Sequence, residues 1–226
     1  MDFELSIAQK RAHKIMGKNF FGVEEASKHF GIVIFSSQTS DLADVPFSEA
    51  TLQKHKDSHI LVAVFPLSFR DVMRMRCGDI FPSGDILLRD HREIASKYAS
   101  IGWHLVRKGA HPHTDRKSWE ASLRMLEKDK ERVPEAFVVA YTAIGHCLAT
   151  GEKMFKDEKS WNLRCAEVLK ESGHIVVGVS YDRRHYAGGD LKKLIHVPVQ
   201  LSMGEIGDSY SNLRDCSLAS EVISEV

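Results

Sequence analysis

The chain has no long hydrophobic run, no paired-cysteine motif and no net charge, and each absence narrows what it can be. Its longest apolar stretches, Ile60 to Phe65 and Ala136 to Ala140, fall far short of the roughly 20 residues that cross a bilayer. The N-terminus, MDFELSIAQKRAHKIMG, turns from acidic to basic without the apolar core of a secretory signal, so a soluble, cytoplasmic protein with no membrane partner is expected. Cysteine occurs at Cys77, Cys147, Cys165 and Cys216, never as CxxC. Such scatter indicates buried or free thiols in a reducing compartment. The 31 basic and 31 acidic residues cancel, which argues against coating nucleic acid by bulk phosphate neutralisation but leaves room for a local basic patch. Also missing are the Walker loop, GxGxxG, HExxH, GxSxG and the EF-hand loop, which weakens the case for the common enzyme classes.

What is present fits a globular protein. The 226 residues are 43% apolar and 27% charged, enough to bury a core in one large domain or two small ones without covalent staples. The 12 histidines should raise the net charge as pH falls toward about 6.

The first quarter has helical spacing. Leu5, Ala8, Ala12, Ile15 and Met16 form a stripe over residues 4–17, and Val23, Ala26 and Phe30 form another that ends at Gly31. A third helix is expected over 36–44 and a fourth over 48–56 with Ser48 as its cap. The texture then changes. HILVAVF (59–65) is apolar without alternation, as in a strand covered on both faces. Ser68 and Asp71 have the spacing of a capping box and open a helix over 69–75. Residues 76–100 suggest loop with a short strand at 86–88, and IGWHLVR (101–107) alternates as a strand. Ser118 caps a further helix. After Pro134, placed as a first-turn proline, residues 135–150 are apolar on most sides and predict the central buried helix, closed by Gly151. Strands follow at 162–169 and 175–181 as a hairpin, then at 195–201 as an edge marked by Pro198.

Several groups invite a functional reading. GVEEASKHFGI followed by SSQTSDLADV has the outline of a helix-turn-helix. The would-be recognition helix offers Ser36, Ser37, Gln38 and Thr39 but no Arg or Lys, so an ordinary packing unit is the competing account. The nucleic-acid candidates are Lys28, Gln38, Arg183 and Arg184. His111, His113 and Asp115 need at least one more ligand to form a metal site, nothing nearby has diagnostic spacing, and the segment suits a solvated loop, so neither metal nor cofactor is expected. Trp103, His104, Arg107 and Lys108 put an aromatic beside cations, a platform for an anionic or planar ligand, although any sheet edge has this composition. His146 and Cys147 are helix neighbours that point apart, and a protonated His146 suits the negative end of the helix dipole.

Five phrases, AHKIMGKNFFGVEEASKHFG (12–31), VPFSEATLQKHKDSHILVAVFPLS (45–68), IGWHLVRKG (101–109), VPEAFVVAYTAIGHCLATGEKMF (133–155) and LRCAEVLKESGHIVVGVSYD (163–182), resemble a family of bacterial hypothetical proteins from environmental and candidate-phylum genomes. They cover somewhat under half of the chain. The resemblance implies a bacterial origin and a shared fold and transfers no catalytic residue. Residues 70–100 and those after Tyr181 depart from the pattern.

The expectation is an α+β fold: a helical unit over 1–57, an α+β core over 58–202, and a loosely attached tail over 203–226 with room for a short closing helix. The strands form one mainly antiparallel sheet crossed by the 135–150 helix. The leading functional expectation is a non-enzymatic binding protein whose partner is a protein or an anionic ligand, with Lys18-Asn19-Phe20-Phe21 and Trp103 to Lys108 facing the surface. The alternatives are nucleic-acid association and a hydrolase or transferase using His104 or His146. The last needs a pocket that joins one of them to a carboxylate.

Overall fold

The structure is a computed structural model and describes residues 4–74, 92–114, 117–152, 154, 161–169, 173–180, 200–206 and 216–225. Its helices begin where side chains can replace missing backbone partners. Helix α1 (Ile7–Met16) opens at Ser6, whose hydroxyl accepts from the Gln9 amide while the Gln9 side chain accepts from the Ser6 amide. Helix α2 (Val23–Phe30) stops at Gly31, where φ is 68°, a left-handed turn that costs glycine nothing. The short α3 (Ser36–Asp41) precedes α4 (Glu49–His55), which is capped by Ser48. Ser68 and Asp71 cap each other reciprocally at the start of α5 (Phe69–Arg74). Helix α6 (Arg92–Ser96) follows, then α7 (Trp119–Asp129), capped by Ser118.

Helix α8 (Ala136–Thr150) is the apolar spine. Every residue from Ala136 to Cys147 is buried, and Gly151 ends the helix in a left-handed conformation. Glu135 holds the cap position, so Pro134 lies just outside the helix and not in its first turn.

Among the described residues, nine strands form two sheets. The first, in the order β1-β2-β3-β9-β4, contains β1 (Phe20–Phe21), β2 (His59–Val64), β3 (Gly102–Arg107), β9 (Glu221–Val222) and β4 (Glu131–Arg132). All its pairings are antiparallel except β1 with β2. The second, in the order β7-β6-β5-β8, contains β7 (Gln200–Ile206), β6 (Gly173–Ser180), β5 (Trp161–Leu169) and β8 (Cys216–Leu218). The fold is α+β. The expected single sheet is therefore split, because β5 and β6 pair with each other and with β7 and β8, not with β2 or β3. Of the strand expected at 195–201, β7 begins only at Gln200, and residues 195–199 lie outside the described residues. So does the strand expected at 86–88.

The C-terminal segment is not a loose tail. Strand β8 pairs with β5, and after two residues the chain enters the other sheet as β9, between β3 and β4. Residues 218–222 are buried.

Register assigns the faces of the first sheet, since directly opposed residues share a face and neighbours in sequence do not. Phe20, Leu61, Trp103, Leu105, Arg107, His59, Val222 and Glu131 fall on one face, and Phe21, Val62, His104, Val106, Glu221 and Arg132 on the other. Helices α1 and α4 and the segment at Leu42 cover the first face: His13 of α1 stacks on Phe20, His55 of α4 meets His59, and Trp103 Nε1 donates to the Leu42 carbonyl at 3.0 Å. Helices α8 and α2 cover the second, with Phe21 meeting Tyr141 and Phe30 edge-on. Phe20 and Phe21 are thus core residues, and so is Asn19, in contrast to the surface expected for this phrase. The aromatics anchor one sheet face to each helical layer, which leaves Lys18 as the exposed member.

Candidate functional site

Three short strands build the site. His104 on β3, Glu221 on β9 and Arg132 on β4 share the face toward α8, and pairing of Arg132 with Glu221 and of Val106 with Glu221 sets them side by side. The Glu221 carboxylate lies at their centre. His104 Nδ1 is 2.7 Å from Glu221 Oε2, and Arg132 Nε donates to Glu221 Oε1 at 2.7 Å. Glu221 is 3% exposed on its side chain and His104 17%. Burial alone would raise the Glu221 pKa, but the hydrogen bond and charge of His104, together with Arg132, hold it below the usual carboxylate value. With Glu221 accepting from Nδ1, Nε2 is the ring nitrogen left to face the cavity. That nitrogen has no hydrogen-bond partner among the described residues.

His104, Glu221 and Arg132 line a cavity of about 300 Å³ together with Ser100, Val133, Glu135 and Val138. The volume is at the small end for ligand sites. Lys97 holds Glu135 at 2.7 Å, so the cavity wall carries a paired carboxylate beside the Arg132 guanidinium. Arg132 is 56% exposed, placed to meet an anion entering from solvent.

The ligand platform expected from Trp103, His104, Arg107 and Lys108 does not assemble, because alternation along β3 separates it. Trp103 and Arg107 face away from His104. Trp103 is buried. Arg107 donates to both carboxylate oxygens of Glu131 and, at 3.2 Å, to Ser220. Lys108 is half-buried just beyond the strand. Of the four, His104 alone lines the cavity.

His146 also differs from expectation. It is buried in the last part of α8, and burial first, then the positive charge of Lys108, lowers its pKa to about 4. It is neutral near pH 7, so the dipole account, which needs an imidazolium, does not apply.

Among the nucleic-acid candidates, Lys28 is exposed on α2, while the Gln38 side chain accepts from the Phe35 amide and so caps α3. Helix α3 has six residues and no basic one. Arg183 and Arg184 lie outside the described residues. His111 pairs with Asp129 at 3.0 Å, His113 is exposed, and Asp115 lies outside the described residues.

Sequence reasoning missed Glu131, Arg132 and Glu221. Strands of two residues show no periodicity, and isolated charged residues look like surface. The one available signal was the pair Glu131-Arg132 between a helix end and Pro134, which is weak.

The arrangement defines an α+β protein with a carboxylate-oriented histidine opening on a small cavity. No family model matches the chain, and comparison with curated proteins and with solved structures found no match. Among the described residues, no helix is long and apolar enough to cross a membrane.

Proposed function

We propose that the protein is an acid–base enzyme, a hydrolase or transferase acting on a small anionic substrate, with His104 as its general base and acid. The observation that carries this reading is the 2.7 Å contact of His104 Nδ1 with a buried Glu221 at the wall of a cavity. A neutral imidazole whose Nδ1 proton is fixed by a carboxylate presents Nε2 as a directed base, and Glu221 stabilises the imidazolium after the proton moves. Glu221 is therefore a positioning residue. Arg132, held by its Nε on the same carboxylate, supplies positive charge to the anionic part of the substrate. A bacterial, cytoplasmic setting, suggested by the phrase resemblance and by scattered cysteines without a CxxC pair, belongs to the same proposal.

The test is turnover of chromogenic carboxylic esters and phosphomonoesters by the full-length protein. One class should be hydrolysed, and His104→Gln should lower kcat by about 100-fold or more, the usual scale of a general base. Glu221→Gln should lower kcat and move the pH profile, and Arg132→Ala should raise KM with a smaller effect on kcat. Binding of a phosphomonoester without turnover would replace this reading with a binding protein at the same cavity. Turnover undiminished in His104→Gln would remove it.

A further inference from the structure

The sheet face turned away from the cavity carries a second polar group that the acid–base reading does not use. His55, at the end of α4, meets His59, at the start of β2, with their Nδ1 atoms 3.2 Å apart and their rings nearly perpendicular. The Ser58 hydroxyl sits 2.8 Å from the same His59 Nδ1. At the other edge of that ring, His59 Nε2 is 3.4 Å from Glu131 Oε1 but too poorly aligned to form a hydrogen bond, so this buried nitrogen has no well-formed partner. One donor atom from each of His55, His59 and Glu131 lies within 4.8 Å of the other two, and all three residues are buried.

We propose that His55, His59 and Glu131 bind one divalent transition-metal ion of the zinc class. The donor set is two imidazoles and a carboxylate, which zinc accepts readily. Zinc–nitrogen bonds of about 2.0–2.1 Å at tetrahedral angles put neighbouring ligand atoms about 3.3 Å apart. The 3.2 Å between the two Nδ1 atoms is already such an edge, and the three ligand atoms all lie within 4.8 Å of one another, so Glu131 has up to about 1.5 Å to close. The protonation states suit ligation. Burial holds the His55 pKa down at about 4 and also lowers that of His59, so both are neutral near pH 7. Burial would raise the Glu131 pKa, but the nearby His59 and the bonds from Arg107 and Ser220 lower it, so Glu131 is ionised. Arg107, donating to both Glu131 oxygens, orients the ligand from outside. It also cancels the Glu131 charge, so the ion enters a site of zero net charge. The bound metal should therefore be removable by a chelator. It would tie α4 to two strands of the sheet and so fasten the N-terminal helices to the core.

The test uses the full-length protein stripped with EDTA and dialysed. Titration with Zn2+ by calorimetry should give one ion per chain, and Co2+ should give the visible absorption of a tetrahedral site. Zn2+ should raise Tm and Mg2+, which prefers oxygen ligands in octahedral geometry, should not. His55→Ala should keep its metal-free Tm near the wild-type value and bind Zn2+ at least about tenfold more weakly. If His55→Ala does not fold, His59→Gln supplies the same comparison, and the wild-type Co2+ spectrum stands without either. Failure of the stripped wild-type protein to take up one ion, or uptake unchanged in both variants, would show that the cluster is a hydrogen-bonded network only. Neither result bears on turnover at His104, which lies on the other face.

Discussion

At the scale of single residues, the buried ionisable groups set how the protein responds to acid. His55, His59 and His146 all have pKa values lowered chiefly by burial, those of His55 and His146 to about 4. A group with a folded pKa below its unfolded value binds more protons when unfolded, so its stabilisation is complete above about pH 6.5 and is lost as pH falls toward the folded pKa. Glu131 and Glu221, also lowered, contribute above the ordinary carboxylate range and lose their contribution only further down. Urea unfolding should therefore show stability falling from about pH 6.5, well before carboxylates titrate. His146→Leu removes one such group together with its unpartnered Nε2. Between pH 6.5 and pH 5 the variant should lose about 1.5 kcal/mol less than wild type, since the slope reaches its full value of about 1.4 kcal/mol per pH unit only below about pH 6. Equal losses in the two proteins would show that His146 is charged in the fold.

The Arg107–Glu131 pair gives a second residue-scale outcome. Both side chains are well shielded, Glu131 almost completely. Glu131→Gln leaves the guanidinium facing a neutral group in a dry site and should cost about 3 kcal/mol in chemical denaturation. Replacing both members, as Arg107→Met with Glu131→Leu, should cost much less than the sum of the single changes, because no charge is left stranded. Additive losses would mean that the two groups stabilise the fold independently.

At the scale of elements, the contact between α8 and β1 depends on one missing side chain. A Cβ added at Gly145 would lie 2.9–3.1 Å from the ring of Phe21. That ring cannot swing aside, since it packs edge-on against Phe30 and Tyr141 and is 1% exposed. Alanine is worth about 1 kcal/mol more than glycine inside a helix, and overpacking a core costs about 1–3 kcal/mol. Gly145→Ala should therefore destabilise by about 1 kcal/mol net, and in a Phe21→Leu background it should become stabilising. A coupling near zero in that double-mutant cycle would place the close approach elsewhere.

The same elements show what the sequence could and could not disclose. Helix α8 was legible because a segment apolar on every side has nowhere to go but the core. The N-terminal helices and α7 were legible from stripes and caps, with Ser48, Ser118 and Gly31 where the chemistry of helix ends requires them. His104 was visible as the polar half of an alternating strand. Its partner was not, because Glu221 sits 117 positions away on a two-residue strand, and nothing local marks a glutamate as buried. The split into two sheets was hidden for a related reason: a strand's pattern tells which face is covered but not which strand lies beside it.

At the scale of the whole molecule, the ninth strand in sequence order lies inside the first sheet. Strand β9 separates β3 from β4, and β8, just before it, completes the second sheet beside β5. The segment between them is fixed to both halves of the protein: Ala219 N donates to Arg164 O and Arg107 N to Ser220 O. A chain ending at residue 215 would leave β3 and β4 without a shared neighbour, strip Arg132 and His104 of the Glu221 carboxylate, and open the core that holds Leu218, Ala219 and Val222. Unpaired strand edges and exposed apolar surface favour association. The 1–215 fragment should therefore lose the cooperative thermal transition and near-UV circular dichroism of the full chain and aggregate on concentration. Adding residues 216–226 as a separate peptide should restore part of both signals, because the missing strands make main-chain hydrogen bonds that need no covalent link. A fragment that melts cooperatively at the wild-type Tm would mean that the two sheets form without β8 and β9, and that the C-terminal segment completes the site at His104 without being needed for the fold.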